Sequence, residues 1–595
     1  MKLDLVTSIK IHGALSLESE ALFTLNNGLS LHRIASILIN RLQVRCSIQV
    51  KGVEERADYE LTLLTDEELE EEAYKVERVG LRHTIIAGGS LSGLLYGVGR
   101  WLHTTKYEPS GLIPSEWSGE SKPDCTFRGI YFATHFFNYY HVAPLEELQL
   151  YLEDLALRGT NRLELVFPFV NLDGWDDPNT ATSLAQLKKV FAAARRVNMK
   201  TGIGFASNNQ FRNAPENLRA KPNIDPLGRK GNHGVNICTS DAEGYAYVID
   251  NIEELCRRLH DVKPDFVVQS AYDEGGCGCE ECHPWGAKGY LVLAEGIMRT
   301  MRSYFPEIEH VLSTWVFDTP YCGEWEALSQ KLAVKNDWVD YILADAHEEY
   351  PSYPLQHSAP GQAGLLNFPE ISMWGLFPWG GFGANPLPNR FERLWNQVKG
   401  IVQGGFPYSE GIYEDMNKAI VSGFYWNREA TASETLREYI NYEFSHRATE
   451  QVLQLIDLIE KNHERVHIGE LPDLHEAERA WTLAVEAAEL MPSAMKHTWR
   501  WRILYLRAKL DVERYRLVLK SPNGKLAPGT SWGDLLAEHT AAQEAFRELI
   551  GYYHSQLEDA MISVDHAWIR PPLAKNGSVQ IEREAHAIHY RPDHS

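Results

Sequence analysis

No stretch of the chain approaches the roughly 20 consecutive apolar residues that a membrane helix needs. The first residues, Met1-Lys2-Leu3-Asp4-Leu5, lack the basic segment and long apolar run of a secretory leader. The expectation is a cytoplasmic protein without a membrane partner. Positive charge is short as well: 58 Lys and Arg face 81 Asp and Glu, for a net charge of −23. A nucleic-acid or anionic-lipid partner would want a basic face, so neither is expected. Cysteine is sparse, 8 in 595 residues, which argues against a disulfide-held scaffold. In a cytoplasmic chain the one cluster among them points to metal before disulfides. Low-complexity tracts are absent, and no repeat is visible beyond an alternation of strand and helix.

What is present is the composition of a large globular protein. The chain is 44% hydrophobic and 23% charged, ordinary values for a folded domain, and its length implies several domains. The 16 Trp and 27 Tyr are many. Most must fill cores, but aromatic platforms also suit sugar rings.

Residues 1–110 read as a small α+β domain, with helices at 31–42 and 90–102 and strands at 46–50, 59–64 and 82–87. Small residues recur along 90–102, which would let another element approach closely. The acidic run 66–72 reads as solvated, and residues 109–123, rich in Pro, Gly and Ser, read as a linker. From 124 to 429 strand-then-helix units repeat, with strands at 128–131, 162–167, 201–206, 265–270, 310–316 and 339–344, and within 365–374 and 404–408. Eight such units over about 300 residues are the count and length of an α/β fold, the (β/α)8 TIM barrel. Arg128 begins the first strand, so it belongs at the barrel bottom in a structural ion pair. Residues 430–567 are helical only. Val452, Leu455, Ile456 and Ile459 share one face, and Ile503, Leu506, Leu510 and Leu517 another, as in a helical bundle. Such a bundle could serve a homo-oligomer. Residues 568–595 read as an extended tail.

The chain is organised around residues 266–282. A short apolar strand ends in Asp273-Glu274, two glycines follow, and then Cys277, Cys279 and Cys282. An acid pair after a buried strand is what a catalytic strand end of a barrel looks like, and carboxylates are the usual catalytic groups of glycoside hydrolysis. The bland alternative is a helix cap or a surface ion pair.

Three stretches resemble a known family. Residues 90–102 are similar to the last helix of the small domain that precedes the barrel in family 20 β-N-acetylhexosaminidases and family 67 α-glucuronidases. Phe127-Arg128-Gly129-Ile130-Tyr131, with His135-Phe136 and residues 154–163, resembles the first barrel unit of family 20. Asp273-Glu274 resembles that family's paired acid motif, and Cys277–Cys282 a segment of family 163 enzymes, also barrels acting on N-acetylglucosaminides. The likeness covers about the first 280 residues. It implies an exo-acting glycosidase with a retaining mechanism assisted by the substrate: the 2-acetamido oxygen attacks the anomeric carbon, Asp273 orients it, and Glu274 is the acid and later the base. Two departures stand out. Val268-Gln269-Ser270-Ala271-Tyr272 replaces the family's His-x-Gly-Gly, and Ala133 and Phe136 fall near the places of its strand-one aspartate and arginine.

Further candidates cluster after the strands. Cys277-x-Cys279-x2-Cys282 offers three ligands for a structural zinc, with Cys238 or His283 as the fourth, or else buried free thiols. No cofactor is expected for catalysis. Glu370 and Glu410 are further acids at the same mouth, Glu410 alternatively a contact of the helix near Asp415. Trp315, Trp374 and Trp379 would wall a sugar subsite. His135, Asn138, Asp345 and His347 are candidate ligand contacts, and Tyr272 or Tyr408 a donor to Asp273. The leading function is a β-N-acetylhexosaminidase-like hydrolase of short oligosaccharides. Behind it stand a glycosidase pairing Glu274 with Glu370 or Glu410 on a sugar such as a uronide, a non-catalytic carbohydrate-binding barrel, and a metallohydrolase.

Overall fold

The structure, a computed structural model, describes residues 5–13, 28–52, 54–135, 139–222, 235–272, 275–319, 322–357, 359–372, 384–521, 525–531, 533–534, 536–538 and 540–541. Near the N-terminus six short strands form one mixed sheet, in the order Gln49–Val50, Ser8–His12, Tyr59–Thr65, His83–Gly88, Tyr74–Arg78 and Gly119–Ser121. Alternate residues of the Tyr59–Thr65 strand are buried, as expected where one sheet face meets a core. Helices Leu31–Arg45 and Leu91–Thr104 accompany it, each opened by a serine, Ser30 or Ser90, whose side chain accepts an amide of the first turn. The small residues of the second helix have the expected consequence. A Cβ at Gly99 would stand 1.9 Å from the Leu157 carbonyl oxygen, so the helix backbone lies directly against the end of helix Leu145–Leu157.

Among the described residues eight parallel strands close a barrel: β1 Phe127–Phe132, β2 Arg162–Val166, β3 Lys200–Ala206, β4 Phe266–Ser270, β5 Glu309–Ser313, β6 Tyr341–Ala346, β7 Gly364–Pro369 and β8 Gly404–Gly405. The circle closes where Gly404 pairs with Phe127 and Gly405 with Arg128. The eighth strand resumes at Tyr408–Ser409, which pairs with Tyr131 and Phe132. Between the two pieces stands Pro407, which has no N–H to give to a ladder. Helices Leu145–Leu157, Pro178–Arg195, Ala242–Arg258, Gly289–Tyr304 and Glu324–Val334 follow β1 to β5, Pro388–Val398 follows β7, and Asp415–Trp426 follows β8. The barrel interior is filled by Phe127, Phe266, Val268, Val311, Leu343, Leu366 and Phe406. It is a packed core rather than a pore.

Strand ends shift by one to three residues from the sequence reading, and two of these shifts bear on the mouth. β5 stops at Ser313, and the chain then turns, with the Phe317 amide donating to the Thr314 carbonyl at 3.0 Å and Val316 at a φ of +59°. β6 runs on to Ala346, so Asp345 is a strand residue rather than one beyond the strand. The acidic run 66–72 is also not wholly solvated. Glu72 accepts two hydrogen bonds from the buried Arg128, at 2.6 and 3.0 Å, and pins the N-terminal sheet to the barrel bottom. Arg128 further donates to the carbonyls of Gly159 and Cys125.

After the barrel come helices Ala432–Ile440, Thr449–His467, Leu474–Glu489 and Trp499–Lys520. Val452, Leu455, Ile456 and Ile459 are buried on one face, as are Ile503, Leu506, Leu510 and Leu517. No helix among the described residues is long and apolar enough to cross a membrane.

Truncating one partner of a buried charge pair leaves the other uncompensated. Arg128→Met should destabilise the fold by about 3 kcal/mol, read as a lower urea midpoint. Glu72→Gln should cost less, because the amide oxygen can still accept from Arg128 and the guanidinium keeps its bonds to the Gly159 and Cys125 carbonyls.

Candidate active site

Because all barrel strands run the same way, their carboxyl ends open on one face, where barrels keep their active sites. A contiguous aromatic floor lies there. The Tyr131 ring, on β1, sits 5.2 Å from Tyr408 and 5.6 Å from Phe368, centroid to centroid. Phe368, on β7, stands edge-on to Tyr408 at 6.0 Å and lies 5.3 Å from the imidazole of His347. Trp315 stacks obliquely over His347 at 5.4 Å. Trp315 is half-buried, and the next residue, β-branched Val316, is held at positive φ. Strain of that kind concentrates at ligand-binding sites. The loop is fixed by a reciprocal pair: the Asp318 amide donates to Glu324 Oε2 at 3.1 Å, and the Glu324 amide to Asp318 Oδ1 at 2.7 Å.

Acidic groups surround this floor. Glu370 follows β7, is buried, and accepts from the Ser372 amide at 2.6 Å. Glu410 follows the resumed eighth strand, is 6% exposed, and accepts the Tyr408 hydroxyl at 2.8 Å. Burial is the main cause that pushes its carboxyl up to about 8; the Tyr408 bond pulls the other way, and the charges of Glu414 and Glu370 push it further. Glu410 thus holds a proton at neutral pH, as a general acid must. Glu414 stands at the N-terminus of helix Asp415–Trp426 but turns back to the loop, accepting from Ser409 Oγ at 2.5 Å and the Gly411 amide at 2.8 Å. On β6, Asp345 Oδ1 lies 2.7 Å from His347 Nδ1. Burial draws this imidazole down, but the Asp345 and Glu370 carboxylates outweigh it and raise its pKa overall.

Of the residues singled out in the sequence, Trp315, Asp345, His347, Glu370, Tyr408 and Glu410 converge at this mouth. His135 is half-buried beside Tyr131, its Nδ1 3.5 Å from that hydroxyl. Tyr272 is buried, and its hydroxyl donates to Glu324 Oε1 at 2.5 Å. Asp273, Glu274, Asn138, Trp374 and Trp379 lie outside the described residues. Flanking the acid pair, β4 ends at Ser270 on this same face, and the Gly276 amide donates to Asn208 Oδ1 at 3.0 Å. Sequence reading passed over Tyr131, Phe368 and Arg390. The first two were within reach, since alternation along a strand puts Tyr131 on the face of Phe127, and Phe368 on that of Glu370. Arg390 was not: it reaches the His347 carbonyl from the start of the helix after β7, a contact made only by folding.

A second cluster lies beside the mouth. The Sγ atoms of Cys238, Cys277, Cys279 and Cys282 all fall within 4.8 Å of one another, a group able to hold a metal ion. Cys238 supplies the fourth member.

No family model and no curated protein matches the sequence. Among solved structures, the chain is similar to a family 115 4-O-methyl-α-glucuronidase with specificity for decorated arabinogalactans. The TM-score is 0.61 at 12% identity, over 93% of this chain and 77% of that one. The two share the barrel fold. A family 89 glycoside hydrolase from Clostridium perfringens, in complex with its substrate GlcNAc-α-1,4-galactose, aligns at 0.59 and 12% identity over 87% of this chain and 64% of that one. A family 20 β-N-acetylglucosaminidase aligns at 0.48 and 12% identity, over 74% and 92%, too loosely to carry an argument.

An exposed glutamic acid releases its proton near 4.5, whereas folded Glu410 keeps it to about 8. Folding therefore takes up a proton between these values, and this contribution to stability is lost as pH rises through that window. Glu410→Gln removes it. The variant's denaturation midpoint should gain on the wild type as pH rises from about 5 to about 8; a constant difference would show that Glu410 titrates ordinarily.

Proposed function

We propose that this protein is an exo-acting glycoside hydrolase of short oligosaccharides, working at the carboxyl face of a catalytic barrel spanning 124–429. The domain 1–110 and the helical unit 430–567 would buttress it. The reading rests on one observation: rings from β1 and β5–β8 pave the mouth, and buried acids stand among them. Aromatic faces hold sugar rings, and carboxyl groups supply the proton transfers of glycoside cleavage. The fold likeness to a glucuronidase and to an N-acetylglucosaminide-binding hydrolase points to the same reaction class.

The chemistry follows from the Asp273-Glu274 pair after β4. Two carboxyl groups so close cannot both ionise easily, so one keeps its proton. On a β-N-acetylhexosaminide the 2-acetamido oxygen bonds to the anomeric carbon as the glycosidic C–O bond breaks. Glu274 gives its proton to the departing oxygen, and Asp273 bears against the acetamido group and its growing positive charge. Water then adds to the anomeric carbon as the bond from that carbon to the acetamido oxygen breaks, Glu274 takes the water's proton, and configuration is retained. These residues carry the reaction without a cofactor. Glu370 and Glu410, from strands across the circle from β4 or near it, would bind sugar hydroxyls.

The proton held by Glu410 favours a second reading, in which Glu410 and another carboxylate flank a sugar without an acetamido group, such as a uronide. Release of an aryl leaving group from an N-acetyl-β-glucosaminide, a β-glucoside and a glucuronide separates the two. Turnover of the acetamido sugar alone, falling about 10²–10⁴-fold in Glu274→Gln, is expected. Turnover of the uronide, lost in Glu410→Gln, would install the second reading. Sugar binding that survives in both variants without any turnover would mark a binding barrel instead.

A further inference from the structure

The cysteine cluster joins two loops that leave neighbouring strands. Cys238 follows the short pairing of Val235–Asn236 with Asn209–Gln210 in the segment after β3, and Cys277, Cys279 and Cys282 lie in the loop after β4. Cys277, Cys279 and Cys282 are buried and Cys238 is half-buried. Cys238 Sγ and Cys279 Sγ stand 3.7 Å apart. Four thiolates about 2.3 Å from a central zinc would be separated by about 3.8 Å, so this spacing fits an ion between the sulfurs. A disulfide would need about 2 Å, and all eight cysteines are free thiols.

The surroundings suit thiolate ligands. The amides of Cys279 and Lys221 are directed to Cys277, that of Ser240 to Cys282, and that of Cys282 to Cys279. N–H groups turned toward sulfur offset the negative charge that four thiolates bring to one ion. The backbone around the cluster is also tied independently of any metal: the Gly278 amide donates to the Lys221 carbonyl at 3.0 Å, and Asn208 Nδ2 donates to the carbonyls of Ile237 and Gly276, both at 2.9 Å.

We propose that Cys238, Cys277, Cys279 and Cys282 form a closed four-thiolate zinc site that staples the loop after β3 to the loop after β4. With every position filled by protein sulfur, the ion has no open place for water or substrate, so its role is to fix the loops. The second loop begins with Asp273 and Glu274, only three residues before Cys277.

The site does not depend on the proposed hydrolysis, and its test needs no substrate. The full chain, purified under reducing conditions, should contain about one zinc per molecule, with X-ray absorption showing four sulfur neighbours at about 2.3 Å. A mercurial thiol reagent should release that zinc stoichiometrically. Cys282→Ser should lose bound zinc, while Cys322→Ser, an exposed thiol outside the cluster, should keep it. Should Cys282→Ser fail to fold, the metal content and sulfur shell of the wild type decide alone. Metal-free protein, iron in place of zinc, nitrogen or oxygen in the shell, or a disulfide within the cluster would each overturn the assignment.

Discussion

The largely buried guanidinium of Arg500 is the tie on which the assembly depends. It reaches Asp154 at 2.9 Å and Asp415 at 2.8 Å, and so joins the long C-terminal helix to the helices after β1 and β8. Asp154 also takes Arg41 at 2.7 Å, from the first helix of the chain. Nearby Glu443 lies between Arg45 at 2.9 Å and Arg158 at 3.0 Å. Charges taken out of water persist only when paired and hydrogen-bonded. No one of these groups can shift alone, so the flanking units and the barrel hold a common geometry.

The same tie extends to the mouth. Asp415 accepts Tyr151 at 2.9 Å and Tyr439 at 2.7 Å. Lys418, one turn further on, donates to Tyr151 at 2.6 Å and Tyr140 at 2.8 Å and stands 3.9 Å from Glu414. Burial brings this lysine down to about 8 against the pull of Glu414 and Asp415. Two carboxyls four residues apart therefore live differently. Glu414 is anchored in the loop beside a cation, whereas Glu410 is buried near two further acids and keeps its proton even though Tyr408 donates to it.

The mouth is thus built by two kinds of constraint. On the β7–β8 side, buried charge reaching back into the helical unit fixes the acids. On the β3–β4 side, amide bonds made by Asn208 and a cluster of sulfurs join the loops.

The sequence by itself determined the barrel. Strand and helix carry different hydrophobic periods, and eight alternations of them admit few other closures. It also determined that Arg128 would be a structural ion at the barrel bottom, and that Glu370, Tyr408 and Glu410 would meet at the top, since carboxyl ends of parallel strands share one face. What it left open depended on partners far along the chain. That Glu72, from an acidic run that reads as solvated, is the partner of Arg128 follows from docking two domains. That β6 extends through Asp345, setting it against His347, follows from pairing with β7. That Cys238 joins three cysteines about 40 residues later follows from the adjacency of β3 and β4 in the barrel. Local patterning sets which residues form elements; the proton on Glu410 and the convergence of four sulfurs arise only from burial and proximity, which tertiary structure alone creates.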